Sequence, residues 1–508
     1  MGNLIKQSKI IYLFLTVSFI SLASCSKNEV IAKQEVEETD LVFESFILEK
    51  KNNPYLKEDV VFNIDNGSIS GTLKTYFFNS IPTFTTNAQS VKIDNLEQVS
   101  ASSTVDFRTP ITYSLKSESG ATKTYTVNIS WDDALAHIYI ETEGAAPIVS
   151  KDDYLNAKLT IDGQSKYEDR VFEFSENARI KGRGNSTWAW PKKPFKIKLD
   201  SKETLVSHKD ALSRLLPEKD WVLLADYQDG VHLLNNVAFT IGRMLDMPFT
   251  NTIIPVELTL NGNYLGVYGL TEQLEIKTNR VNVGKDGLLL ELDQYYDEDW
   301  QFRSANYNLP VMVKDPDLDT QAELDAIKSE WNTFEALVAS NDFPNNNYLD
   351  FIDGESIAKY FIVNMLTSNQ EINHPKSTYL HKTATGKYTM GPLWDFDWAY
   401  GFEGSSRHFS NPNKDLFWTD AKAGTTFFKK LMLTDPKIKV LIKEHWLDFT
   451  SNHLDDLMDY IDEHAFIIKG AKARNLNMWN NGLVTDELIM KQWLQNRVLY
   501  INNYINNF

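Results

Sequence analysis

The 508-residue chain holds a single cysteine, Cys25, so no disulfide can form within it. It has no surplus of positive charge. Its 51 lysines and arginines face 69 acidic residues, a formal net charge of −18. A surface of that sign favours neither nucleic acid nor anionic membrane, although it does not forbid a local basic cleft. Beyond residue 22 no run is long and apolar enough to span a bilayer as a helix. His-Glu-x-x-His and Gly-x-Ser-x-Gly are both absent, and the nine histidines show no zinc spacing, which removes the commonest zinc-protease and serine-hydrolase signatures. A calcium loop opening at Asp315 fails as well, because its sixth position is not glycine and its twelfth is Ala326.

What is present begins with a leader. Residues Met1 to Lys9 carry two lysines, Ile10 to Leu22 form a short apolar run, and Leu22-Ala23-Ser24-Cys25 follows. The run is too short to span and reads as a secretory signal over residues 1–25. Leu-Ala-Ser-Cys resembles a bacterial lipoprotein cleavage box, in which the cysteine thiol is lipidated and becomes the mature N-terminus. The expectation is an exported lipoprotein of the cell envelope, with the outer membrane as its place, anchored through Cys25 and not threaded through the membrane. Residues 26–40 are polar and charged and read as a solvated tether.

The chain has room for roughly two to four domains, and aromatics at 12% suit a large core or a polar-ligand groove. Short alternating runs fill residues 41–132: Val60 to Ile64, Leu73 to Phe77, Ile111 to Leu115 and Tyr125 to Ile129, punctuated by Asn66-Gly67 and Ser119-Gly120. Strands of this length with turn signals and no helical stripe predict a β-sandwich. It resembles the immunoglobulin-like spacer domains of Bacteroidetes surface lipoproteins, and a spacer or adhesive role is the expectation.

From 134 to 508 the pattern is mixed. Ile138 to Ile140 and Ala157 to Ile161 read as strands, followed by a turn dense in glycine and small polar residues, Lys181-Gly182-Arg183-Gly184-Asn185-Ser186-Thr187. In the next strand Phe195, Ile197 and Leu199 face one way, and Lys196 and Lys198 the other. Backbone N–H groups approach phosphates closely where no Cβ intervenes, and an ammonium neutralises their charge. Alone, the same residues also describe a hairpin with a solvated basic face, and they are not a Walker A loop. Asn261-Gly262 marks the clearest hairpin, and Leu288 to Asp293 is an apolar strand entering an acidic end. Then helical stripes dominate, such as Leu324, Ile327, Trp331, Phe334 and Leu337. A β-rich half followed by a helical half predicts two lobes with a cleft between them.

The stretch Met390 to Gly401 holds Asp395 and Asp397 two residues apart among aromatics. If extended, it would point both carboxylates to one side, a pairing that suits a hard cation such as magnesium. The plain alternative is a buried strand end with two solvated acids. Upstream, Glu371 is followed six residues later by Ser377, and then beyond a strand by Asp395. An acid, then an amide or hydroxyl, then a metal-binding acid is the order found in kinases.

Several segments in order carry a wider resemblance. They are Lys181 to Trp188, Lys192 to Lys198, Trp221 to Ala225, Val256 to Tyr268 around Asn261-Gly262, Thr271-Glu272-Gln273, and Trp394-Asp395-Phe396-Asp397-Trp398. Together they resemble the CotH kinase family, named for a spore coat protein. The resemblance implies an α+β chain in which a two-lobed, atypical kinase-like domain with a helical C-terminal lobe follows the sandwich. It implies transfer of the ATP γ-phosphoryl group to Ser or Thr of a protein or peptide, with Mg²⁺ or Mn²⁺. By the same resemblance Asp395 is the metal-binding acid and Asp397 supports it. Lys196 or Lys198 contacts phosphate with Glu272 as ion-pair partner, and Arg183, Gly184, Asn185 and Ser186 cradle the nucleotide. Glu371 takes the place of the catalytic aspartate, Ser377 stands near a metal-binding asparagine, and Asn235-Asn236 replaces a frequent Arg-Asn pair. Glutamate for aspartate and serine for asparagine are departures, and a misplacement of about 1 Å can cost on the order of a hundredfold in rate. Two other readings compete: a catalytically impaired cleft on a cell-surface lipoprotein that grips a peptide or glycan, and a glycoside-active pair such as Glu371 with Asp395.

Overall fold

The computed structural model describes residues 41–56, 58–74, 78–164, 173–205, 216–402, 408–419 and 422–508. Cys25, the leader and the tether lie outside the described residues, as do Thr75 to Phe77 of one expected strand. The chain is a mixed α+β protein. No helix among the described residues is long and apolar enough to cross a membrane.

Residues 41–131 form a β-region in which a three-stranded and a six-stranded sheet contribute to one core. Two of the expected strands appear within Ile111–Lys116 and Thr122–Trp131, Val60 to Ile64 is split into Val60–Val61 and Asn63–Asp65, and Leu73 is the last residue of strand Ser68–Leu73. Ile111–Lys116 pairs antiparallel with Thr122–Trp131, and inward residues such as Tyr113, Leu115, Tyr125 and Val127 are buried beside Phe43 and Phe46.

Seven strands between Ala136 and Glu272 then close into a barrel. Closure comes from the last hairpin of the barrel in chain order, Ile253–Leu260 with Asn263–Glu272, whose first strand pairs parallel with Ala136–Thr142. The interior is filled by one side of each strand, including Phe195, Ile197 and Leu199. Lys196 and Lys198 therefore lie on the outer side.

Helix Leu234–Met244 leaves the barrel between two of its strands and is buried along nearly its whole length. Its apolar residues belong to a second core, shared with the strand Leu288–Leu292 and the helices of the C-terminal half. That strand is the middle of a five-stranded sheet, flanked by Pro310–Asp315 and Thr378–Lys382. Helix Gln321–Ala339 starts on a capping box at Thr320 and Glu323 and buries Leu324, Trp331 and Phe334, with Ile327 and Leu337 partly buried against the same core. Helix Gly354–Thr367 buries the expected Ile357, Phe361 and Met365.

Candidate functional site

The glycine-rich turn joins strand Glu173–Gly182 to the one-turn helix Ser186–Ala189, with strand Phe195–Glu203 beyond. Two of its glycines are obligatory. Gly184 sits at φ +81, and a Cβ there would overlap the Thr187 hydroxyl; a Cβ on Gly182 would run into the Trp188 ring. Both glycines line the space in front of the turn. Gly184→Ala should cost about 1–3 kcal/mol in backbone strain and lower affinity for a ligand in front of the turn. Thermal denaturation alongside calorimetric titration checks this, and an alanine variant with unchanged stability and affinity would contradict it.

That space is a cavity of about 320 Å³ between the barrel rim and the C-terminal half, within the range of small-molecule sites. Arg183, Gly184, Asn185 and Ser186 line it from the barrel side, and Ser377, Asp395 and Asp397 from the other. Asn185 spans its edge, accepting from Lys151 Nζ at 3.1 Å and donating to Asp297 at 2.9 Å. Arg183 lies over the Trp394 ring, 5.3 Å from its centre. Burial pulls its pKa down, while Tyr379, Asp395, Glu291 and Asp397 favour its charge.

The acidic stretch departs from expectation. The strand ends at Met390, and Asp395 takes φ +60 in a bend without regular structure. Both carboxylates reach the cavity through this left-handed bend, not by strand alternation. Aspartate tolerates the conformation better than most residues, and neighbours hold it there. Asn235 donates to Asp397 Oδ1 at 2.8 Å and accepts from the Phe396 backbone N–H at 2.8 Å. The Tyr400 hydroxyl donates to Leu234 O at 2.8 Å, and a His408 ring nitrogen lies 2.7 Å from Asp397 O. The first turn of helix Leu234–Met244 therefore grips the bend, and Asp229 caps that helix through the Val231, His232 and Leu234 amides.

Negative charge accumulates here. Burial raises the Asp395 pKa, although Arg183, Lys376 and the Asp397 N–H pull against it. Burial and then Asp395 push Asp397 well up. Asp293, at the end of strand Leu288–Leu292, accepts from the Tyr295 and Ser377 amides and is pushed to about 6, mainly by burial. Glu371 lies in the short turn Gln370–Asn373. It is buried behind the cavity wall and does not line it. Its Oε2 has no hydrogen-bond partner among the described residues, and burial, then Asp395, raise its pKa well above the carboxylate range.

Three expected site residues stand elsewhere. Lys196 and Lys198 are on the outer barrel face, where Lys196 pairs with Asp220 at 3.2 Å. Glu272 is buried, accepts from the Thr252 amide at 2.9 Å, and has Arg280 as its charged neighbour, so it pairs with neither lysine. The cations that do line the cavity are Lys151, Lys181, Arg183, Lys192 and Lys314. Lys192, Asn235 and Asp293 sat inside motifs already noticed in the sequence. Asp226, which also lines the cavity, carried no signal beyond following Trp221 to Ala225.

The residues fit a divalent cation. Asp395 and Asp397 are half-buried carboxylates whose mutual repulsion a cation would relieve, and Glu371 Oε2, close enough for Asp395 to raise its pKa, has no hydrogen-bond partner among the described residues. Among the described residues no three His, Cys, Asp or Glu groups form a ready metal cage. Magnesium takes one or two carboxylates together with waters and substrate phosphates.

With this geometry in place, comparison adds a family. The model described as CotH kinase protein matches residues 180–507. The chain belongs to the CotH kinase family. No curated protein matches it. The CotH match starts at Ile180, just before the glycine-rich turn, and takes in the acidic bend and the helices around it. It leaves out the β-region and the first two barrel strands, although these last complete the barrel.

Proposed function

We propose that this CotH-family chain is an atypical protein kinase that transfers the ATP γ-phosphoryl group to Ser or Thr of an envelope or secreted protein. One observation carries the reading: the bare glycine-rich turn and the Asp395–Asp397 bend, far apart in sequence, line one cavity. Asp395 would hold Mg²⁺ or Mn²⁺, with Asp397 and Ser377 beside it, and the cation would neutralise the nucleotide's phosphates. The turn around Arg183 receives those phosphates, while Glu371, behind the cavity wall, is out of reach of an acceptor hydroxyl in the cavity. The barrel and the helical half act as the two lobes. The N-terminal β-region is an immunoglobulin-like sandwich that carries them on a lipid anchor at Cys25, with the outer membrane as the place of action. Incubating the purified protein with γ-labelled ATP, magnesium and envelope proteins tests the reading. Label on a protein hydroxyl supports it; no label, with no ATP-dependent rise in Tm, ends it.

A second reading, a binding cleft without transfer, is favoured by Glu371, which lies behind the cavity wall with its pKa raised by burial and its Oε2 unpartnered among the described residues. It predicts an ATP-dependent rise in Tm without transfer, or a rise with peptide or glycan alone. Ligand at 100 times its Kd stabilises by about 2.7 kcal/mol, which a melting curve resolves.

The raised acids set a pH dependence. A group whose pKa is raised keeps its proton to higher pH, and a cation must displace that proton. Affinity for Mn²⁺ should therefore fall as pH drops through the Asp293 value of about 6, by about tenfold per pH unit for each proton displaced. Titrations at about pH 5.5 and about pH 7.5 check it, and equal affinities would show that no cation enters among these acids.

A further inference from the structure

The inner wall of the cavity depends on a helix from far along the chain. Helix Leu454–Trp479 lies against strand Asn263–Glu272, and its Ile468 and Ala471 join the barrel core. Near its end Asn475 is buried. Its side-chain oxygen accepts from Lys192 Nζ at 2.9 Å and from the Val267 N–H at 3.1 Å, and its NH₂ donates to His232 Nε2 at 3.2 Å. Gly266, at φ +88, leaves the room that this oxygen occupies. Lys192 also donates to Val267 O and lines the cavity near Asp226. His232 leads into helix Leu234–Met244, whose Asn235 holds Asp397. A single amide therefore ties together the segment after the glycine-rich turn, the barrel and the helix that grips the acidic bend.

Earlier on the same helix is the seat of the N-terminal β-region. The Phe466 ring packs edge-on against Phe78 and Trp131, at 5.0 and 5.7 Å between centres, and those two rings are 5.1 Å apart. Arg108 lies over Phe78 at 5.4 Å, with Glu463 and Asp462 of the helix as charged neighbours. Gly470 has no side chain where the Asp133 carboxylate fits, and Arg474 reaches both Asp133 and Glu257. Only residues 132–135 separate strand Thr122–Trp131 from the first barrel strand, Ala136–Thr142. The β-region is docked and has no length of chain on which to swing.

We propose that the N-terminal β-region controls the cavity through helix Leu454–Trp479, with Asn475 as the positioning residue that transmits its docking to Lys192 and the acidic bend. The proposal deepens the nucleotide reading and rests on it. Phe466 and Asn475 are nine residues apart, about 13 Å of stiff helix at about 1.5 Å per residue. The Asn475 oxygen and NH₂ are both engaged with buried groups, so the helix cannot slide without leaving some of those groups unpaired. A pull, a partner or a loosened contact at the β-region thus reaches the wall that faces the phosphates.

The test uses the whole mature chain with Phe78→Ala, Phe466→Ala and Asn475→Ala. Phe466→Leu keeps the experiment readable if the alanine variant does not fold. Two quantities are read: hydrogen exchange of the Val267 amide without nucleotide, and Kd for ATP with magnesium. Both Phe variants should speed Val267 exchange and raise Kd about threefold to tenfold. Phe466→Ala combined with Asn475→Ala should cost less than the sum of the two. Wild-type values of Val267 exchange and Kd in the Phe variants would overturn the proposal. So would an equal rise in exchange along strand Leu288–Leu292, which marks general loosening. If wild type binds no nucleotide while Val267 still responds to Phe466→Ala, the kinase reading falls and the coupling stands.

Discussion

Asp395→Asn is expected to lower phosphoryl transfer by about 100- to 1,000-fold, the scale of removing one group aimed at developing charge in a closed site. Asparagine is the informative substitution. It accepts φ near +60 as readily as aspartate does, so the bend held by Asn235 and His408 stays in place and only the charge goes. Asp397→Asn should cost less, about 10–100-fold, because Asp397 already spends one oxygen on Asn235 and serves the bend as much as the ligand. Both changes should stabilise the ligand-free protein at neutral pH. The sign follows from their raised pKa values. Stability from such a group is full below its unfolded value of 3.8 and is lost as pH rises through the folded value. A carboxylate at neutral pH is therefore a cost that an amide removes. Transfer assays, ATP–magnesium calorimetry and melting curves on the two variants decide. If Asp397→Asn loses binding while Asp395→Asn keeps it, the assignment is inverted. If neither changes affinity, the bend is only a well-packed turn.

The second large effect is one of stability. Trp331 is fully buried where helix Gln321–Ala339 meets the loop at Tyr388 and helix Ala423–Leu433, with ring centres 5.8 Å from Phe334, 5.6 Å from Tyr388 and 6.3 Å from Phe427. Trp331→Ala removes the ring on which all three pack, and should cost about 3–5 kcal/mol. Trp331→Phe keeps most of the packing and removes an indole N–H that is buried without a partner among the described residues; its cost should stay below about 1.5 kcal/mol. Denaturant unfolding of the C-terminal core compares them. Equal costs would mean that the site repacks freely.

Local chemistry made much of this legible. Alternation placed Phe195, Ile197 and Leu199 inside, and the helical stripe of Trp331 and Phe334 marked a core. Glycine density marked a turn whose φ only glycine supports, and two close acids marked the cavity's other wall. Failures began where the deciding contact came from elsewhere in the chain. Alternation told that Lys196 and Lys198 share a face, but barrel closure decided that this face points away from the cavity. Glu272 met Arg280 because the chain folds back after the hairpin, a pairing no spacing encodes. The left-handed bend at Asp395 exists because Asn235, more than a hundred residues earlier, holds it. The segments nearest the ligand space are thus the ones whose conformation local sequence specified least.

The closing of the barrel also bears on the order in which the chain can fold. Its first strand, Ala136–Thr142, waits for Ile253–Leu260 as a lateral partner, and helix Leu234–Met244 must be lodged in the other core between those events. Ile468 and Ala471 then complete the barrel's apolar core. A polypeptide synthesised N-terminus first would hold this half-built cylinder open, its apolar interior exposed, until nearly the whole length had emerged. Unpaired strands stay open to wrong partners until then, and a fragment ending before residue 468 would be a substrate for proteases instead of a smaller working molecule.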